Sequence, residues 1–152
     1  MKPLLPAILA TALLLSACAG DGPVQSKLPD DPAAKALGIW KDLGDIREGN
    51  IRAAYDTGSI KRSGDTVRLR DRKIVLKPEK ESYHNTPRFQ TAIGEWELDC
   101  KKRTFRLLEI RLWDENKKLV SHRKYTAAQA PARPVVPNSP ALKQLELACG
   151  SK

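Results

Sequence analysis

In the stretch DTVRLRDRKIVL, residues 65–76, Arg68, Arg70 and Arg72 alternate with Val67 and Leu69. Guanidinium groups at every second residue of an extended chain stand about 6 to 7 Å apart, close enough for one polyanion to engage several. Lys73 adjoins this comb, and Lys101, Lys102 and Arg103 form a second basic cluster. The other residues with specific chemistry are Cys18, Cys100, Cys149, His84 and His122. There is no Gly-x-Ser-x-Gly, His-Glu-x-x-His, glycine-rich phosphate loop or paired-acid signature, so no catalytic residue is nominated and an enzyme is not expected. Neither histidine has a ligand-like spacing to a cysteine, so no metal or other cofactor is expected. His84, in ESYHNTP, reads as a loop residue and His122 as a residue on a strand surface.

Cys18 has a different logic. Met1 and Lys2 precede an uncharged segment with an apolar run over 7–15, broken only by Thr11. That is the pattern of a signal peptide, and it is too short, and too soon followed by Asp21 and Lys27, for a membrane span of about 20 apolar residues. Leu15-Ser16-Ala17-Cys18 looks like the bacterial lipobox, in which cleavage precedes a cysteine whose sulfur carries a diacylglycerol. More than one acyl chain, at about 0.8 kcal/mol per buried methylene, makes release negligible. Ala19 stands where lipoproteins kept in the inner membrane often carry Asp, so by resemblance to Gram-negative sorting rules an outer-membrane anchor is expected. The chain thus divides into a lipoprotein signal peptide over 1–17, a lipidated terminus and tether over 18–36, and one domain over 37–152. The tether, rich in Gly, Pro, Asp and Ala with no apolar period, has a reach near 25 Å on random-coil scaling.

The two cysteines left after lipidation sit beyond a secretion signal, in an oxidising compartment. There an even pair is expected to form a disulfide, closing a loop of about 50 residues worth roughly 4 kcal/mol on the chain-entropy model.

The elements that must position these groups are mostly strands. Val67 and Leu69 define the apolar face opposite the arginines, but Asp71 interrupts it and Ile74 and Leu76 fall on the arginine side, so a bulge or strand end is expected near Asp71. WELDCKKRTFRLLEIRLW reads as a hairpin about Lys101-Lys102. A two-residue loop sets Leu98 opposite Phe105, Trp96 opposite Leu107 and Glu97 opposite Arg106, apolar against apolar and acid against base. The loop lacks the Asn-Gly type of turn residue, so a one-residue slip or a bulge stays open, and the adjacent Leu107 and Leu108 imply a change of face. Ile51 to Tyr55, Ser59 to Lys61 and Leu119 to about Tyr125 read as further strands, with DENKK as a turn.

AAQAPARPVVPNSP contains four prolines, which suit neither a helix nor a central strand, and reads as an extended crossing. Asn138 or Ser139 can then cap a helix with Pro140 at its first position. Leu142, Leu145 and either Leu147 or Ala148 form its apolar stripe, ending at Cys149. The fold class expected is α+β: a small antiparallel β-sheet domain with a C-terminal helix tethered by a disulfide.

YDTGSIKRSGDTVRL, WELDCKKRTFRLL and RPVVPNSPALKQLELAC resemble, in order and spacing, the surface-adhesin protein E family of Gram-negative envelope lipoproteins. The matching positions are Tyr55 and Asp56; Ser59, Ile60, Arg62 and Gly64; Asp99 and Cys100; and Pro137, Ser139 and Cys149. The tryptophan many members carry before the proline segment is absent here. The resemblance implies an antiparallel sheet with a tethered helix and, for some members, adhesion to host matrix proteins; it names no catalytic residue.

Loss of Lys2 leaves a mature charge of about +8 from the formal +9, and a pI near 9.6 favours acidic partners. Export argues against nucleic acid as a physiological partner. Lipopolysaccharide phosphates, anionic lipid headgroups, host glycans and host matrix proteins remain. The candidate ligand-binding residues are Arg68, Arg70, Arg72, Lys73, Lys101, Lys102 and Arg103, with Lys61, Arg62, Lys117 and Lys118 adding to the field. Two functions follow: an outer-membrane lipoprotein acting as a non-enzymatic binding module or adhesin through a basic sheet face, or a structural envelope lipoprotein whose partner is another envelope protein. Glu95, Glu97 and Asp99 partly neutralise the same face, and a merely solvated charged surface is the bland alternative.

Overall fold

A computed structural model describes residues 24–25 and 38–150. The expected signal peptide, Cys18 and most of the expected tether lie outside those residues. Strands β1 (Val24–Gln25), β2 (Trp40–Ile46), β3 (Ile51–Asp56), β4 (Lys61–Ser63), β5 (Thr66–Val75), β6 (Thr91–Asp99), β7 (Thr104–Trp113), β8 (Leu119–Lys124) and β9 (Arg133–Pro134) precede helix α1 (Pro140–Cys149). They form one antiparallel sheet ordered β1-β8-β7-β6-β5-β3-β2. β1 falls within the segment read as tether; it pairs with β8 through Val24 opposite Lys124 and Gln25 opposite Arg123.

The three long strands β5, β6 and β7 are the frame, and each outer edge of that frame is shared by two shorter strands. β4 pairs with Thr66 to Arg68 of β5, and β3 takes over from Asp71 to Val75. Between β3 and β4 a 3-10 turn, Thr57–Ser59, is capped by Asp56, whose Oδ1 accepts from Gly58 N at 3.0 Å. This cap explains why the strand expected from Ser59 begins at Lys61 instead. On the far side β9 pairs with Thr104 and Phe105, and β8 with the stretch from Glu109 to Trp113.

The β6–β7 register is the one expected: Leu98 faces Phe105, Glu97 faces Arg106 and Trp96 faces Leu107. The turn holds four residues rather than two, because Asp99 facing Thr104 is the last pair and Arg103 takes φ 53° to close it. A bulge at Leu108, between Glu95–Glu109 and Trp96–Leu107, makes the expected change of face. The bulge expected near Asp71 is not there. β5 pairs unbroken with β6 from Thr66–Asp99 to Ile74–Thr91. Asp71 keeps its place on the apolar face because Trp96 Nε1 donates to Oδ1 at 2.8 Å, while Gln144 and Lys73 donate to Oδ2.

That face carries the core: Leu43, Ala53, Tyr55, Val67, Leu69 and Leu98 against Leu145 and Ala148 of α1. The helix starts as the sequence implies, with Ser139 Oγ accepting from Leu142 N at 3.2 Å and Pro140 at the first position. Of the two options for the last turn, Ala148 is buried and Leu147 is 43% exposed. At 10 residues α1 is too short to persist alone in water. Core packing holds it, and so does the Cys100–Cys149 disulfide, whose Cα atoms are 5.6 Å apart. The fold is α+β, as expected.

Candidate functional site

Residues directly opposite in an antiparallel ladder project to the same face. On the face away from α1 the register therefore builds three rungs: Lys61, Arg68, Glu97 and Arg106; Arg70, Glu95, Glu109 and Lys124; Arg72, Ile93, Arg111 and His122. Arg68, Arg70 and Arg72 do share one face, but that face also carries carboxylates, and each arginine is committed within the molecule.

Arg68 Nε and Nη2 donate to Glu97 Oε2 at 3.0 and 2.9 Å, and Arg106 Nε donates to Glu97 Oε1 at 2.7 Å. Arg106 beside Glu97, reinforced by Arg68, holds its carboxyl below the usual carboxylate range against the opposing effect of burial. Arg70 donates to Asp56, a carboxylate that is 1% exposed and also accepts from Ile39 N and Gly58 N at 3.0 Å. Arg72 stacks on Trp40 with its guanidinium carbon 4.5 Å from the ring centroid, and desolvation lowers its pKa from the ordinary arginine value. Lys73 is not on this face at all. Its neighbour in register is Ala92, it pairs with Asp71 on the helix side, and its ammonium lies 5.3 Å from the Trp96 centroid. A strict two-residue period through an unbroken strand puts Lys73 opposite to Arg72, so the basic comb stops at three teeth.

His122 is also placed differently from its reading as a strand surface residue. It is 3% exposed, and its Nε2 lies 2.8 Å from Glu109 Oε1. Arg111 and Lys124 also reach the Glu109 carboxylate, the latter at 3.6 Å. This end of the second face is itself buried, with Trp113 and Ile93 2% and 6% exposed, so alternation alone does not identify the wet side. His84 sits in an exposed loop, as expected.

Lys101, Lys102 and Arg103 are exposed in the β6–β7 turn. Lys102 N donates to Asp99 Oδ1 at 2.8 Å, and its ammonium lies 3.8 Å from Asp99 Oδ2. Lys61 is exposed on β4, whereas Arg62 donates to the Ala148 carbonyl in the last turn of α1. Lys117 and Lys118 lie at the other end of the sheet, in the turn between β7 and β8. Sequence reasoning names Arg106 only as the partner of Glu97 and does not single out Arg111 or Arg133 as site residues; Arg106 and Arg111 are five residues apart and share a face only because of the bulge at Leu108.

A recess of about 220 Å³ lies between the first turn of α1 and the sheet, with Trp96 and Phe105 in its wall and Asp71, Lys73, Gln144 and the capping Ser139 among its lining residues. Lys73 and Gln144 donate to Asp71, and Ser139 is engaged by the backbone of Val136 and Leu142, so these groups are bonded internally rather than turned to a ligand. Among the described residues, no group of three or more His, Cys, Asp or Glu side chains is placed to hold a metal ion.

An antiparallel sheet with a disulfide-tethered helix is the arrangement implied by the motifs around Asp56, Cys100 and Cys149, and a family model for surface-adhesin protein E matches residues 40–150. The chain belongs to the surface-adhesin protein E family. The match spans β2 to α1, so every group of the charged face lies inside it. No curated protein and no solved structure matches the chain. Family membership associates this surface-adhesin protein E domain with a surface adhesin, a cell-surface or envelope location and a non-enzymatic role.

Proposed function

We propose that the protein is an outer-membrane lipoprotein, anchored by lipid on Cys18 after removal of residues 1–17, that works as a non-enzymatic adhesin. The domain would stand off the membrane on the residues between Cys18 and β1 and engage anionic glycans, lipopolysaccharide or a host matrix protein through exposed basic side chains of the sheet, Lys101, Lys102 and Arg103 among them. The observation that carries this reading is the family match across the whole charged sheet, combined with a formal charge of +9. Long-range attraction from such a charge raises encounter rates with polyanions, while the rigid ladder beneath fixes where they land.

A structural role in contact with another envelope protein is the competing reading, supported by the extensive pairing of this face within the molecule. Protease shaving of intact cells separates the two. An adhesin must be exposed, so the domain should be released from whole cells by added protease; protection until the outer membrane is permeabilised would favour the structural reading.

A further inference from the structure

The cations of this protein fall into two populations that the sequence does not separate. Arg68, Arg70, Arg106 and Arg111 are spent on Glu97, Asp56 and Glu109, and Arg72 on Trp40. Among the exposed cations that make no ion pair to a described residue, which include Lys77, Lys80, Lys117 and Lys118 at the other end of the sheet, four share a position: Lys61, Lys101, Arg103 and Arg133. These four come from β4, from the β6–β7 turn and from β9, and the sheet brings all three to one end. β4 pairs with the first residues of β5, β9 pairs with the first residues of β7, and the turn joins β6 to β7 between them. Four inter-strand spacings of about 4.8 Å separate β4 from β9, so the cationic end is roughly 19 Å wide; Lys61, opposite Arg68, lies on the face away from α1 and Arg133, opposite Phe105, on the helix side, so a ligand that meets both wraps the end of the sheet.

This end is held rigid from several sides. Cys100 is bonded to Cys149 at the end of α1, and Cys100 N donates to Asp65 O at 2.8 Å. Val135 N donates to Arg103 O at 3.1 Å, and Arg62 ties β4 to the Ala148 carbonyl. The acids here include Asp65, Asp99, which Lys102 engages, and Glu97 on the rung of Lys61, which Arg68 and Arg106 engage. Cations mounted on braced backbone lose less freedom on binding than cations on a free loop, and those with no internal carboxylate have no pair to break.

We infer that the disulfide-braced end of the sheet, bearing Lys61, Lys101, Arg103 and Arg133, is the polyanion-binding site of this protein, and that it takes ligands presenting several sulfate or phosphate groups across about 19 Å. The inference rests on the adhesin reading and relocates its contacts from the arginine comb to the end of the sheet.

The test compares three forms of the full-length chain in detergent: the parent, a Lys61→Ser/Lys101→Ser/Arg103→Asn/Arg133→Ser variant, and an Arg68→Ser/Arg106→Ser control. Asn replaces Arg103 because φ there is 53°, which Asn tolerates. Fluorescent heparin is the sulfate probe and dispersed lipopolysaccharide the phosphate probe, which tells the two sources apart. The end variant should bind at least one probe about ten-fold or more weakly than the parent, with a shallower salt dependence, since each lost contact removes roughly one unit of slope. The control should bind within about two-fold of the parent, because its arginines are neutralised by Glu97. The end variant should also keep the parent's thermal midpoint, as expected for exposed, unpaired side chains. If the end variant binds like the parent, or the control alone loses binding, the site is elsewhere and the adhesin reading stands without it. If the parent binds neither probe, both the site and its polyanion chemistry fail.

Discussion

The indole Nε1 of Trp96 donates to Asp71 Oδ1 at 2.8 Å across the space that Gly94 leaves open. Gly94 sits opposite Asp71 in the β5–β6 ladder, and a Cβ built on it would come within 2.6 Å of Trp96 Nε1 and 2.8 Å of Asp71 Oδ1. Asp71 is 3% exposed, so this bond, with those from Gln144 and Lys73, is what allows a carboxylate inside the apolar face. A Gly94→Ala change should push the indole off the carboxylate and destabilise the domain by about 1 to 3 kcal/mol, the usual range for overpacking. A lowered urea midpoint with altered Trp fluorescence in the folded state would show it; an unchanged midpoint would mean the cradle yields freely.

Arg70 and Arg68 should behave differently despite their shared strand. Arg70→Ser leaves the buried Asp56 without its guanidinium partner and should cost about 1 to 3 kcal/mol. Arg68 has a 61% exposed side chain, and Glu97 keeps Arg106 when it is removed, so Arg68→Ser should cost under about 1 kcal/mol. Removing Arg68, Arg70 and Arg72 together therefore does not spare stability, as a free comb would. Chemical denaturation of the two single variants decides this, and equal costs would contradict the assignment of Arg70 as a structural cation.

The depressed Glu97 pKa sets an acid limb of stability. A carboxylate whose folded pKa lies below its unfolded value stabilises the fold above the unfolded pKa, roughly 4.3 for Glu, and that contribution is lost as pH falls through the folded value. Glu97→Gln should thus flatten the fall in thermal midpoint between about pH 5 and pH 3, with Arg106 as the main partner lost. Parallel acid limbs in parent and variant would rule out Glu97 as a contributor.

Reducing the disulfide should loosen α1 before it loosens the sheet. A Cys100→Ser/Cys149→Ser form should lose about 2 to 4 kcal/mol. In native-state hydrogen exchange, the amides of 141–149 should lose more protection than those of Val67 and Leu98, which lie in the fully buried part of the sheet. Uniform loss across both elements would mean that helix and sheet unfold as one unit.

The lipid anchor has a chemical test. A Cys18→Ala variant expressed in a Gram-negative host should no longer incorporate labelled palmitate and should leave the membrane fraction. Continued membrane attachment with cleavage at the same bond would overturn the lipobox reading.

Local pattern in the chain was enough to give the pairing of Trp96, Glu97 and Leu98 with β7, the start of α1 at Pro140, and the Cys100–Cys149 bridge. Each depends on residues close in sequence or on a pair left with no competitor. The alternation of Arg68, Arg70 and Arg72 also placed them on one face, since a strand's period of two is a local property. The surroundings of that face were decided only by the tertiary structure. Glu97 meets Arg68 from 29 residues away, Asp71 is kept inside the core by Trp96 and Gln144, and Lys73 turns to the opposite side from the comb. His122 is buried beside Arg111, its register partner, and Glu109, its hydrogen-bond partner, both on β7, which its own neighbours Ser121 and Arg123 do not reveal. The same limit hid the braced cationic end: Lys61 and Arg133 come to the end of the sheet that holds Lys101 and Arg103 only when the split edges of β5 and β7 bring β4 and β9 to either side of one turn. Periodicity reports which side of a strand a residue takes; which cations are neutralised depends on carboxylates delivered by strand pairing, and that is long-range information.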